Sequence, residues 1–491
     1  MRTTIAVCLL LVVACLGCDS GGGPVVTEIP PPAKDENPEP PKPPEPPSPP
    51  PVVDHPPACP PSAKEPDADG DGYSAVCDCA PHDAAIHPAA MDDPDIAETD
   101  TNCDGMDGNQ YRAIFVATGG NDAQDGRRSA PVATLARAVA VAEAATAGWS
   151  RPFDVYLEEG TFDPTDVAWP AAIRLFGGFA TADSAQPFGL HRPFEHATIL
   201  AAAATPLLRI AAPVQTMTID GITLQSLVTL AAANVLQVDG AALTLRYSRI
   251  LGSDAAAIGT GIEALNGAEV TVFAATIDPA GLDGTASVIG LWAQGGTVKI
   301  TNSLILGGAG ARTVGIEARD GTALTLVQNT IDGGSRGAAA KTAIAVRLAD
   351  VNPMLANNLF LTHGAEFDQV VLWCEVGDLA AATIRRNLFA AVPATALHPL
   401  VVGCDGTFYF DAGAFGALGA NVTENYHVAA EDPMEVVDIA AGYLLTVSAA
   451  AYPADDEAAA AHAADTDGVV RDLLGAERTP PYAIGAREEG P

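Results

Sequence analysis

Basic residues are scarce in this sequence. Lys and Arg total 25 against 61 Asp and Glu, a formal net charge of −36, and no basic cluster occurs anywhere. Such a surface repels phosphate groups, which excludes nucleic acid and anionic lipid headgroups as partners and makes cations the expected company. Aromatic residues are also few, 5% of the chain. A core must therefore be assembled from many small side chains, chiefly Ala, Gly and Val, and not from a few large ones. Long apolar runs are missing as well. The run from Ile5 to Leu16 is about twelve residues, well short of the roughly 20 that a spanning helix needs, so no transmembrane domain is expected.

What the N-terminus does carry is an export signal. "MRTTIAVCLLLVVACLGC" has one positive charge at Arg2, then the apolar run, then small residues and cysteine. Its ending resembles a bacterial lipobox, in which a cysteine is acylated and becomes the new N-terminus. Cleavage after residue 17, before Cys18, leaves a signal of ordinary length and six later cysteines: Cys59, Cys77, Cys79, Cys103, Cys374 and Cys404. An even number suits disulfides in an oxidising compartment. Cys15 is the alternative, preceded by the preferred residue types Val12, Val13 and Ala14. The expectation is an exported protein, lipid-anchored to the cell envelope at the outer membrane or cell surface; a secreted chain without lipid is the plainer alternative.

Residues 18–66 read as a tether. From Pro24 to Pro66 lie 19 of the chain's 39 prolines, which gives extended polyproline-like coil on the order of 100 Å long if straight.

Residues 67–110 read as a small acidic module. In "DADGDGYSAVCD", carboxylates Asp67, Asp69 and Asp71 occupy positions 1, 3 and 5 of a twelve-residue loop. Gly72 follows at 6, the Tyr73 carbonyl at 7 and Asp78 at 12. Alternate residues on a tight loop point inward together, which suits the six to eight oxygens that calcium takes. A second copy, "DTNCDGMDGN", repeats the order with Asp100, Asn102, Asp104, Gly105 and the Met106 carbonyl. Cys77, Cys79, His82 and His87 offer a competing reading as a soft-metal site. A module this small buries too little apolar surface to fold alone, so ions and disulfides are the expected clamps, with calcium in a structural role. The segment resembles the calcium loops of thrombospondin type 3 repeats and MopE-like metal-binding regions, through "DGDGY", "CDC", "IHPAA" and "NCDG". It lacks the cysteine that the resemblance implies before the last motif, and Cys59 is the candidate for that partner.

Residues 111–491 are governed by repetition. Ile222, Ser248, Ala275, Ser303, Asn329, Asn358 and Asn387 sit at equivalent places, separated by 26, 27, 28, 26, 29 and 29 residues. Each repeat carries short alternating strands broken by glycine and polar corners, and no helical pattern. A period near 27 of this kind is one coil of a solenoid. The leucine-rich alternative fails because its recurring frame is absent. Asn302, Asn329, Asn358 and Asn387 suit a corner ladder in successive coils. Ahead of the coils, an apolar-periodic helix from about 131 to 145 is expected to cap the first one.

The fold class expected is thus all-β: a right-handed parallel β-helix with an N-terminal capping helix, plus the small calcium-loop module. "GGND", "TLARAV", "VYLEEGTF" and "LFGGF" look like the opening of right-handed β-helix proteins of the pectate-lyase-like superfamily, and "DTDGVVRD" with "AIGAREE" resembles their closing segment.

That superfamily includes polysaccharide lyases and hydrolases, yet the equipment of the hydrolases is missing. No Gly-His-Gly or Arg-x-Lys occurs, and the Asp pairs at 92–93 and 455–456 lie outside the repeats. A calcium-dependent lyase would draw on Asp278, Asp332, Arg385 and Arg386. No residue is assigned as catalytic. Cys374 and Cys404 fall in successive coils, where a disulfide across the stack is the plain reading. Trp292 and Trp373 would stack on sugar rings if they point outward and would fill core or corners otherwise. The expected work is binding or adhesion, to glycan or another surface polymer, by a single-chain solenoid whose acyl group enters the lipid bilayer. A lyase or hydrolase with an unfamiliar site, and a structural envelope component, are the alternatives.

Overall fold

The computed structural model describes residues 66–447, apart from 148–150, 182–187, 212–215, 230–231, 254–257, 281–286, 335–339, 364, 393–397, 420, 424, 428–433 and 440–441. The signal, the tether, Cys15, Cys18, Cys59 and most of the closing segment lie outside the described residues.

The coils run as three parallel sheets that wind into a β-solenoid. The first has eleven strands, from Ala113–Val116 through Asp154–Glu158 and Ala172–Phe179 to Val422–Thr423. The second has ten, from Gly160–Phe162 to Tyr426–His427. The third has nine among the described residues: eight parallel strands from Leu208–Ala211 to Val401–Val402, and Phe408–Tyr409 paired antiparallel at its end. Beyond the coils, Met434–Ile439 and Gly442–Val447 form an antiparallel pair.

Alternation along five-residue strands explains why the stack holds. In Ala242–Arg246, Leu243 and Leu245 are buried while the residues between them are partly exposed. Each inward residue sits on its equivalent one coil away. Met217, Leu243, Val270, Val298 and Leu324 make one such column. Ile250, Ile277, Ile305, Ile331, Phe360 and Phe389 make another. All of these are within 2% of complete burial, so a core poor in aromatics is still continuous from end to end.

The corner between the first and second sheets needs a residue in the left-handed region. Tyr247, Ala274, Asn302, Gln328, Asn357 and Arg386 all take it, with φ between 47° and 58°. The position after it is the ladder. The Asn329 amide and its Nδ2 both donate to Asn358 Oδ1 (2.9 and 3.0 Å). Asn358 does the same to Asn387 (2.9 and 3.0 Å), and Asn387 to Asn425 (3.1 Å each). Each Nδ2 also donates to a carbonyl of the neighbouring coil, Ile300, Leu326 or Leu355. Asn302 is not a rung: it holds the left-handed position, and Ser303 beside it takes the ladder place, donating its amide to Asn329 Oδ1.

The helix runs over Leu135–Thr146, starting later than the apolar period suggests. Val132 is claimed by the first strand: its amide donates to the Phe115 carbonyl and its carbonyl accepts from Ala117. Thr134 then caps the helix by accepting from the Arg137 amide, and Asp122 holds Thr134 in turn. Leu135, Ala138, Val139, Val141, Ala142 and Ala145 join the core against the first two strands of the first sheet.

Candidate functional site

The module is built from its carboxylates. Asp67 accepts the amides of Gly70 (2.7 Å) and Gly72 (2.9 Å), which holds its pKa below the ordinary carboxylate value. Asp71 Oδ1 accepts the Tyr73 amide (2.8 Å). Gly70 and Gly72 stand at φ 87° and 97°, left-handed values that glycine adopts without penalty. One oxygen each from Asp67, Asp69 and Asp71 lies within 4.8 Å of the others. The buried Oδ2 atoms of Asp69, Asp71 and Asp78 accept no hydrogen bond. Asp78 is itself 5% exposed. Buried carboxylate oxygens with no donor are costly, and this donor set fits a hard cation.

The second loop repeats the plan. Asp100 accepts the amides of Asp104 (3.1 Å) and Gly105 (2.8 Å), Asn102 Oδ1 accepts the Asp104 amide, and Gly105 stands at φ 86°. Asp104 Oδ2 accepts the Gln110 amide, while its buried Oδ1 has no partner. Burial, reinforced by Asp100, pushes Asp104 up to about 6. Two further acids share this setting. Burial pushes Asp92 up to about 7 and Asp107 to about 8, with other carboxylates adding to each. Twelve residues into this loop stands Tyr111, so the acid that closes the first loop has no counterpart.

The cysteines of the module are committed elsewhere. Cys79 and Cys103 are disulfide-bonded with Cα atoms 5.6 Å apart, and Cys77 is disulfide-bonded as well. The soft-metal alternative loses its thiolates, and His87 stacks on Tyr73 with ring centroids 5.2 Å apart. Cys374 and Cys404 form the expected bond across the stack, Cα atoms 4.6 Å apart.

The module lies against the outer face of the first sheet. Ile114, Val116, Val155 and Leu157 point into the solenoid, so Ala113, Phe115, Ala117 and Tyr156 point out. They are covered, with Phe176, Phe179 and Phe188, by Met106. At the rim, Arg174 joins Asp93 (2.9 Å twice) and Asp154 (2.5 and 2.7 Å), Arg151 pairs with Asp93, and Arg192 is bidentate to Glu98 (2.8 and 2.9 Å). Burial opposes ionisation of Asp93, but Arg174 and Arg151 prevail and hold it near 2.

The third sheet presents the other chemically distinct surface. Pairing aligns Arg209, Gln237, Glu263, Trp292, Glu317, Arg347 and Trp373 in one column. The residues flanking each indole, Leu291 and Ala293, Leu372 and Cys374, are buried, so both tryptophans face outward. Three coil steps separate them, about 14 Å at the spacing of paired strands. Beside Trp373 a cleft of about 720 Å³ is lined also by Gln369, Glu375, His398, Asp405 and the exposed Phe408. His398 Nδ1 is buried there without a hydrogen-bond partner. His398 and Phe408 carry no repeat signal, because they follow the last regular coil.

Acids on this face are tied down. Glu317 accepts from Arg312 (2.6 Å), Arg319 (2.7 Å) and Arg347 (3.3 Å). Burial alone would raise its pKa, and these arginines lower it. Glu263 accepts from the amides of Gln237 and Asn234. The lyase parts do not assemble either. Asp278 and Asp332 belong to the second sheet, on alternate coils with Leu306 between them. Each accepts a backbone amide, from Ala280 and Gly334 respectively. Arg385 ends a strand of the first sheet.

Compared with known proteins, the chain matches no family model, no curated protein and no solved structure.

Proposed function

We propose that this chain is a lipid-anchored bacterial envelope protein that binds a glycan, or a chemically similar surface polymer, along the outer face of its third sheet. The observation that carries this reading is the placement of Trp292 and Trp373 in one outward column, the latter opening onto the cleft with Phe408. Indole faces offer large, rigid apolar area beside polar groups, the combination that ring-stacking ligands use. Glu263 beside Trp292, and Glu375 and Asp405 in the cleft, keep acceptor lone pairs beyond those their present partners fill, which sugar hydroxyls can use. The solenoid in this reading is a right-handed β-helix of the pectate-lyase-like kind whose face binds without cleaving, since its carboxylates are already satisfied by arginines and amides.

The module in this reading takes calcium. Asp67, Asp69, Asp71, Asp78 and the Tyr73 carbonyl hold one ion, and Asp100, Asn102, Asp104 and the Met106 carbonyl a second. The ion supplies the positive charge that the buried carboxylate oxygens lack. The helix over Leu135–Thr146 covers the first coil in the same scheme.

The test is retention of the full-length protein on a panel of immobilised neutral and acidic polysaccharides. Trp292→Ala and Trp373→Ala are each expected to weaken binding by about tenfold, the scale of a buried tryptophan anchor. Native-like binding by both variants would remove this face as the site. New reducing ends, or ultraviolet absorbance from unsaturated uronates, would replace binding with degradation.

A further inference from the structure

We infer that the second acidic loop is a latch: a cation held by Asp100, Asn102 and Asp104 fixes the docking of the module on the first coils of the solenoid. The inference rests on the calcium reading above and adds to it a consequence for the neighbouring domain.

Asp104 closes a clasp. Its Oδ2 accepts the Gln110 amide (2.9 Å) and its carbonyl accepts from Gln110 Nε2 (2.6 Å). Of the five residues enclosed between, 105 to 109, the last four make the contact with the solenoid's outer face. Met106, 1% exposed, fills the aromatic cluster with Phe115, Tyr156, Phe176, Phe179 and Phe188. The Asp107 amide donates to the Gly189 carbonyl (2.7 Å), and its carboxylate accepts the His191 amide (3.3 Å). Gly108 lies so close to Tyr156 that an added Cβ would stand 2.6 Å from Oη. The Asn109 amide donates to that same Oη (3.1 Å).

The ligand loop and the docking tip are therefore one continuous turn, with Asp104 belonging to both. Without a cation, Asp100 and Asp104 oppose each other as like charges at the base of the clasp. With one, they are drawn together and the tip is held in its docked shape. The first loop has no such reach. The hydrogen bonds of its carboxylates stay within the module, between Asp67 and Tyr73 and from the Ala80 amide to Asp78, and Tyr73 stacks on His87. The two loops share a motif and differ in consequence: one orders the module, the other fastens it.

Hydrogen exchange of the full-length protein, in calcium and in chelator, separates these roles. At calcium a hundred times its dissociation constant, exchange in Ala113–Val116, Asp154–Glu158 and Ala172–Phe179 should slow by up to about a hundredfold relative to chelator. Asp104→Asn should abolish that difference and Asp71→Asn should keep it. Gly108→Ala should leave calcium protection in both loops while losing it in the three strands. If calcium protects both loops of the native protein but leaves the strands unchanged, the latch is wrong and the calcium reading stands. If neither loop responds to calcium, the calcium reading falls and the latch with it.

Discussion

The module and the solenoid solve the same problem by opposite means. Residues 67–110 fold around carboxylates that accept backbone amides, cross-linked by the Cys79–Cys103 disulfide, and the module's one fully buried large apolar side chain, Met106, is buried in contact with the solenoid. Residues 113–427 fold around columns of Val, Leu, Ile and Phe that repeat each coil, finished at one corner by an amide ladder. A region held mainly by charge and cross-links is more sensitive to pH, ions and redox state than one held mainly by apolar burial. The contrast teaches where this molecule responds most to its surroundings.

The strongest way to break the contrast is inside the solenoid. Phe389 is fully buried between Phe360 and Phe415, ring centroids 5.4 and 5.0 Å away. Phe389→Ala should cost about 3–5 kcal/mol, read as a lower denaturant midpoint, with the calcium affinity proposed for the module unchanged. A parallel loss of calcium affinity would mean that the two regions are not independent at that end. Asn358→Ala comes next. It strips partners from the Leu326 carbonyl and from the amide and Nδ2 of Asn329, and each buried group left unsatisfied costs about 1–3 kcal/mol. A midpoint shift no larger than that of a surface substitution would show that the ladder is ornament on an apolar stack.

The coil period near 27 was legible because every coil must present the same inward residues, and that constraint writes itself into the sequence. Asn329, Asn358 and Asn387 were legible as rungs for the same reason. Asn302 misled by one position, since asparagine suits both the ladder and the left-handed place before it. Asn425 carries no repeat signal because 38 residues separate it from Asn387, the 3₁₀ helix Ala412–Leu418 falling in between. The outward column was harder still. In Ser287–Gln294 both Gly290 and Leu291 are buried, so strict alternation fails midway and the direction of Trp292 cannot be counted from Ser287. Gly290 allows this because the Gly315 carbonyl occupies the space a Cβ would need, 2.6 Å away. The acidic loops were legible as motifs, whereas their docking depends on contacts such as Asp107 to His191, 84 residues apart, which no local pattern records.

The smallest expected effect sharpens the contrast most finely, because it lies on the boundary. Asp93 of the module reaches Arg174 and Arg151 of the solenoid, and its pKa falls from the ordinary 3.8 to about 2. A depressed carboxylate lends stability that is complete above the unfolded value and lost as pH falls through the folded one. The contribution of Asp93 should therefore be intact above about pH 4 and fade between pH 4 and 2. Its side chain is 44% exposed, so solvent screens the pair and the effect is modest. Asp93→Asn should flatten that part of the stability–pH curve and leave the curve above pH 5 parallel to the native one. A native slope retained in the variant would assign acid sensitivity to other carboxylates of the module and leave the rim pair without a part in holding the two regions together.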